Sequence, residues 1–140
     1  NGLIKGDARA FSQDTNLKIE KNMRQLVEGI CESFGVSAEV KYETTCPVTF
    51  NQAKQAEAAT KAAITLLGDD KCDGDIDPRP FSEDFSIMSD NTPGCFVLMG
   101  NGTSGSYGRP LHSADYDFND ELLVKGSSYW VELAEQQLKL

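Results

Sequence analysis

The sequence predicts an α/β chain, on three observations. Two stretches alternate apolar and polar residues with a period of two, and a run of helical period lies between them. Beyond these, a continuous apolar run, Cys95-Phe-Val-Leu-Met99, sits among further helical segments, as a buried strand of a parallel sheet would. The chain has 140 residues, enough for one domain or two small ones and for a real core.

Residues 3–11 alternate Ile4, Gly6, Ala8 and Ala10 against Lys5, Asp7 and Arg9, which reads as a half-buried strand. Asp14, Thr15 and Asn16 are helix-cap candidates. Leu17, Met23, Leu26, Val27, Ile30, Cys31 and Phe34 then recur at helical spacing, and Gly35 is placed to end the helix. Residues 36–44 put Val36, Ala38, Val40 and Tyr42 on one face and Ser37, Glu39, Lys41 and Glu43 on the other, a second strand. Pro47 marks a crossing segment, since proline interrupts a sheet ladder. An alanine-rich helix is expected from about Asn51 to Leu67, closed by Gly68. Residues 69–84, rich in aspartate, and 101–110, rich in glycine and serine, read as loops. Asn119 caps a final helix, with Asp120 and Glu121 at its positive end and Leu122, Leu123, Tyr129, Trp130, Leu133 and Ala134 on its apolar face.

Charge narrows the partners. Thirteen Lys and Arg against 22 Asp and Glu give a net charge of −9, and the basic residues form no stripe. Such a surface repels phosphate backbones and anionic lipid, so neither nucleic acid nor membrane is an expected partner. No stretch reaches the ~20 apolar residues of a membrane span, and no secretory leader is expected. Cys31, Cys46, Cys72 and Cys95 show no close spacing. Three disulfide pairings are conceivable, but the positions suit buried free thiols in a reducing cytoplasm.

Several motifs resolve to bland readings. Gly100-Asn-Gly102-Thr-Ser-Gly105 has dinucleotide-site spacing, yet Gly108 and Pro110 break the helix that would have to hold the pyrophosphate. Asp115-x-Asp117-x-Asn119 starts like a calcium loop, but Asp120 stands where the turn needs glycine and Gly126 where the bidentate acid belongs. Asn101-Gly-Thr103 is a glycosylation sequon without an indicated secretory route. Glu83 and Asp84 read as acids at a helix start with Ser82 as the cap. His112, the single histidine, has Asp115 and Asp117 close by in sequence, and an imidazole steadied by carboxylates suits zinc. One histidine cannot complete a metal site, and no nucleophile-and-base pair emerges.

Taken in order, Gly6-Asp-Ala-Arg-Ala-Phe11, Pro47-x-Thr49-x-Asn51, Ser82-Glu-Asp-Phe-Ser86, Pro93-Gly-Cys-Phe96, Gly100-Asn-Gly102 and Leu111-His-Ser-Ala-Asp-Tyr-Asp-Phe-Asn-Asp120 resemble one group closely. The chain resembles the C-terminal part of the two-metal amidohydrolases that include hippurate hydrolases, aminoacylases and carboxypeptidase-G-like metallopeptidases. The resemblance runs over essentially the whole chain. It implies that residues 1–46 are the second half of a lid or dimerisation domain, a strand–helix–strand piece of a ferredoxin-like sandwich. Residues 47–140 would then be the C-terminal part of an α/β catalytic domain.

The same resemblance gives His112 the role of a metal ligand and Arg9 that of the lid arginine facing the substrate's carboxylate, with Glu83 and Asp84 shaping the pocket wall. Ala114 and Phe81 stand where the family often has proline and methionine. No catalytic residue is expected within this chain, because the family's general base and remaining metal ligands belong to its N-terminal portion. The expected parent is a cytoplasmic enzyme that hydrolyses N-acyl amino acids with two divalent metals, zinc foremost, with manganese, cobalt or nickel as alternatives. The chain alone, read as a fragment, is expected to be inactive, to bind no metal and to self-associate, the intact protein being a homodimer or similar assembly. The competing reading is a non-catalytic acidic module whose business is dimerisation.

Overall fold

The computed structural model describes residues 2–138, and it divides by contact into two units. One comprises Asn1–Phe50 with Asp77–Pro93, the other Asn51–Ile76 with Gly94–Leu140.

In the first unit, helix α1 spans Gln13–Ser33. Its cap is Ser12, just ahead of the expected candidates: the Ser12 hydroxyl accepts the Thr15 amide at 3.2 Å, and Asp14 lies in the positively polarised first turn. Gly35 ends it in the left-handed conformation, φ 64°. The Val36 amide reaches back to the Cys31 carbonyl at 2.9 Å and the Gly35 amide to Glu32 at 3.1 Å, so the last carbonyls of the helix are satisfied. Residues 36–44 then run along α1. Arg24 donates to the Val40 carbonyl at 2.9 Å while holding Glu20 one turn back, and the Tyr42 hydroxyl donates to Asn16. The short helix α3, Phe85–Asn91, belongs to the same unit and buries Ser86 and Ser89.

The second unit is built on α2, Ala53–Leu67, packed against α4, Leu122–Leu138. Alanine permits the close approach: Ala59 and Ala62 are buried on α2, and Tyr129 is buried on α4. Gln136 of α4 donates to the Thr65 hydroxyl at 3.2 Å. Gly68, φ 92°, ends α2 as expected, and a single 3-10 turn, Asp69–Lys71, follows. Asn119 stands before α4, its side-chain oxygen accepting the Glu121 amide at 3.1 Å and its carbonyl the Leu122 amide at 2.9 Å.

The α/β expectation is overturned. Among the described residues all regular structure is helical; no strand forms, and so there is no strand–helix–strand half of a ferredoxin-like lid. Alternation fixes which side chains share a face but not which backbone will pair with the segment, and a strand exists only through that pairing. In residues 36–44 only half of the expected inner face is covered: Val40 and Tyr42 are half-buried, with contacts from this stretch going to α1, while Val36 and Ala38 are as exposed as Glu39, Lys41 and Glu43. In the first stretch Leu3 and Ile4 remain 80% and 98% exposed, with no apolar surface beneath them. The run Cys95–Met99 lies outside regular structure and is not buried: Cys95 and Phe96 are half-buried, and Val97, Leu98 and Met99 are exposed. Its backbone pairs with a side chain: Asn51 accepts the Phe96 amide at 2.8 Å and donates to the Phe96 carbonyl at 2.9 Å, as a neighbouring peptide would. Gln52 pairs with Gly94 partly through its backbone: its side-chain oxygen accepts the Gly94 amide at 2.8 Å and its own amide donates to the Gly94 carbonyl at 3.1 Å. The four cysteines are free thiols, half-buried where full burial was expected.

No helix among the described residues is long and apolar enough to cross a membrane.

Candidate functional site

The candidate residues fall into two groups, one in each unit. In the first, Arg9 lies ahead of α1, outside regular structure, and its Nη1 donates to the Ser82 hydroxyl at 2.8 Å. Its Nε and Nη2 both reach Asp7 Oδ2 at 2.9 Å. The structure thus brings Arg9 to the Ser82-Glu83-Asp84 segment through the serine, not through either acid. Ser82 does not cap α3; Asp84 occupies the cap position without a side-chain bond, and the Ser86 hydroxyl satisfies the Glu83 carbonyl at 2.6 Å. Among the described residues neither the Glu83 nor the Asp84 carboxylate has a hydrogen-bond or ion-pair partner. The Arg9–Asp7 pair is half in water, and exposed pairs of this kind contribute only about 0–1 kcal/mol. The guanidinium fork can therefore exchange Asp7 for another carboxylate at little cost.

In the second unit His112 is carried on the loop between Gly100 and Asn119. It is exposed and is the only non-glycine residue with positive φ, 70°, among the described residues. That left-handed conformation is held by the turns around it: Ser113 closes back on the Pro110 carbonyl through its amide at 3.1 Å and its hydroxyl at 2.8 Å, and Arg109 pairs with Asp115 at 3.1 Å. Asp115 and Asp117 therefore do not steady the imidazole as their sequence proximity implied. Asp115 is taken by Arg109, and Asp117 contributes its backbone carbonyl to Asn101 at 2.8 Å.

The His112 ring has no hydrogen-bond or ion-pair partner among the described residues, and an exposed imidazole of this kind fits one position of a transition-metal shell. Among the described residues no group of three or more His, Cys, Asp or Glu gathers to complete such a shell. An open depression of about 580 Å³ lies along α2, lined by Ala53, Ala56, Glu57, Thr60, Lys61, Ile64, Thr65 and Gly74, and contains none of the candidate residues.

The residue that sequence reasoning missed is Asn101. Its Nδ2 donates to the carbonyls of Tyr107, 3.1 Å, and Asp117, 2.8 Å, while its Oδ1 accepts the Asn119 amide at 2.8 Å. Read locally it was half of a glycosylation sequon, and no spacing rule reveals a side chain whose partners are distant backbone atoms. Burial raises the Cys95 thiol above its ordinary range, and burial, then the charge of Cys95, raises the Tyr129 phenol.

Comparison with known proteins gives this arrangement its context. The chain is 28% identical over 136 residues to the hippurate hydrolase of Campylobacter jejuni, covering 97% of this chain and 34% of that protein. It is 30% identical over 132 residues to the N-acetylcysteine deacetylase of Bacillus subtilis, covering 94% and 33%. It is 26% identical over 127 residues to thermostable carboxypeptidase 2 of Saccharolobus solfataricus, covering 89% and 31%. The chain spans about a third of the length of these curated relatives. No solved structure matches it. A family profile described as peptidase family M20/M25/M40 runs through residues 4–136, nearly end to end, and the chain belongs to that family.

Proposed function

We propose that this chain is the C-terminal part of a metal-dependent amidohydrolase that cleaves the amide bond of N-acyl amino acids. Residues 1–46 would belong to its lid or dimerisation domain and 47–140 to its catalytic domain. The observation that carries the reading is the Arg9 guanidinium, bonded to Ser82 of the Ser82-Glu83-Asp84 segment and tied elsewhere only to an exposed carboxylate. Hippurate and N-acetylcysteine, named in two relatives, are both amino acids acylated on nitrogen, each with a free carboxylate that such a fork would bind bidentately. Asp7 gives way to the substrate carboxylate, Ser82 keeps Arg9 in place, and Glu83 and Asp84 line the wall beside it.

His112 is the donor this chain contributes to a pair of divalent metals, zinc foremost, which when bound supply activated water. The remaining donors and the general base lie outside this chain, so the 140 residues alone are expected to hydrolyse nothing and to hold no stoichiometric metal. The enzyme is proposed to work in the cytoplasm and to self-associate.

Hydrolysis of hippurate and of N-acetylcysteine by the intact enzyme tests the reading. Either activity, lost on chelation and restored by zinc, is the expected result. An intact, metal-loaded enzyme that cleaves neither overturns it, as does cleavage by the isolated chain.

A further inference from the structure

We propose that Asn101 is the positioning residue for His112, fixing by its amide where the imidazole stands. The inference rests on the reading of His112 as a metal ligand. The loop that carries His112 begins after Gly100 and ends at Asn119, ahead of α4. Asn101 closes it at both ends: Nδ2 holds the Asp117 carbonyl at 2.8 Å, Oδ1 takes the Asn119 amide at 2.8 Å, and Asn119 returns a bond from its own Nδ2 to the Asn101 carbonyl at 3.3 Å. The second proton on Nδ2 reaches the Tyr107 carbonyl at 3.1 Å and draws the near half of the loop inward. All the hydrogen-bonding capacity of the side-chain amide but one lone pair is thereby spent on the loop's backbone.

The rest of the loop converts that closure into a fixed direction for the ring. The near half folds back so tightly that a Cβ on Gly108 would lie 2.8 Å from the Thr103 carbonyl carbon. The far half is closed by the two bonds from Ser113 to Pro110, with the exposed Arg109–Asp115 pair lying across it. His112 stands within this closure in a left-handed conformation that a free loop would seldom hold. Only an amide of this length can serve: a carboxylate has no proton to offer the Tyr107 and Asp117 carbonyls and would repel both.

The test is made in the intact enzyme with Asn101→Asp, Asn101→Ser and Asn101→Ala beside His112→Ala, with zinc as the probe. Zinc affinity is measured by chelator competition, kcat and KM on hippurate are taken separately, and melting is followed for each variant. His112→Ala is expected to lose one equivalent of zinc. Asn101→Asp and Asn101→Ala are expected to weaken the same equivalent by roughly 10- to 100-fold, the usual effect of removing a partner that orients a ligand. Asn101→Ser, which keeps one donor and one acceptor, should fall between them and the parent. Excess zinc should restore kcat with KM little changed, which simple loss of stability would not do. Where the aspartate variant fails to fold, the serine variant decides. Parental zinc affinity in the folded Asn101 variants, with His112→Ala depleted, overturns the role of Asn101 alone. A full complement of zinc in His112→Ala overturns the ligand assignment on which it rests.

Discussion

The guanidinium of Arg9 donates to the hydroxyl of Ser82 at 2.8 Å, joining two segments 73 residues apart in sequence. A bond of such span, between side chains that both retain exposure, adds little to stability. Its effect is geometric. It ties Nη1 of Arg9 to the segment that begins at Ser82 while leaving the Nε and Nη2 edge on Asp7, a partner that water already solvates.

Replacing Arg9 should therefore injure substrate binding more than folding. Arg9→Ala is expected to raise KM for an N-acyl amino acid by roughly 10- to 100-fold, since a charge-assisted hydrogen bond is worth about 1.5–3 kcal/mol. Arg9→Lys should recover only a small part, because an ammonium is a point charge and not a fork. Steady-state kinetics of the intact enzyme decide it; an unchanged KM in Arg9→Ala removes the arginine from the substrate site. Melting of the two variants should match the parent closely.

Two glycines should respond to alanine with opposite signs. Gly108→Ala would put its Cβ 2.8 Å from the Thr103 carbonyl carbon, a backbone atom that cannot step aside, so a loss of about 1–3 kcal/mol is expected. Gly126 lies inside α4, and its Cβ would meet Met99 Cε at 3.7 Å, ordinary contact. Gly126→Ala should thus stabilise by about 0.5–1 kcal/mol through lower backbone entropy in the unfolded chain. Urea midpoints measure both, and a destabilised Gly126→Ala would show that α4 has no room at that position.

Helices were legible in this sequence because their signals are local. Gly35 and Gly68 stop α1 and α2 where glycine was expected to stop them, and Asn119 stands before α4 as read. The cap of α1 moved from Asp14, Thr15 or Asn16 to Ser12 because only there does a hydroxyl meet a free amide two or three residues on. Strands were not legible, because alternation along residues 36–44 is silent about a partner and α1 took the place of one. At the candidate site, His112 and Arg9 were reached through motif resemblance. Ser82 as the partner of Arg9, and Asn101 as the clamp on the His112 loop, depend on contacts across the chain that no local pattern encodes.

The apolar side of α1 predicts association. Leu26, Ile30 and Phe34 recur one turn apart and are 63%, 57% and 79% exposed. A stripe of this kind is costly in water and is covered in most soluble proteins. Ile30→Glu should shift the protein toward monomer at concentrations of tens of micromolar, roughly where modest interfaces register. Light scattering of parent and variant is the measurement, and a parent that is already a monodisperse monomer defeats the prediction.

Burial of Cys95 predicts alkaline instability with a definite sign. The folded chain raises this thiol above its ordinary value of 9.0, because partial burial disfavours the thiolate. Below that value both folded and unfolded chains keep the proton, and stability does not change with pH on this account. Above it the unfolded chain releases the proton first, so each further rise in pH favours unfolding until the folded thiol also ionises. Tyr129 acts in the same direction from its ordinary value of 10.0, through its own burial and then through the charge Cys95 acquires. The urea midpoint of the protein should thus be level up to about pH 9 and fall beyond it. In Cys95→Ala the midpoint should start lower at neutral pH, from lost packing, but decline less steeply between pH 9 and 10, with only the burial part of the later Tyr129 contribution retained. Identical slopes in parent and variant across that interval would show that the Cys95 thiol is not held protonated by the fold.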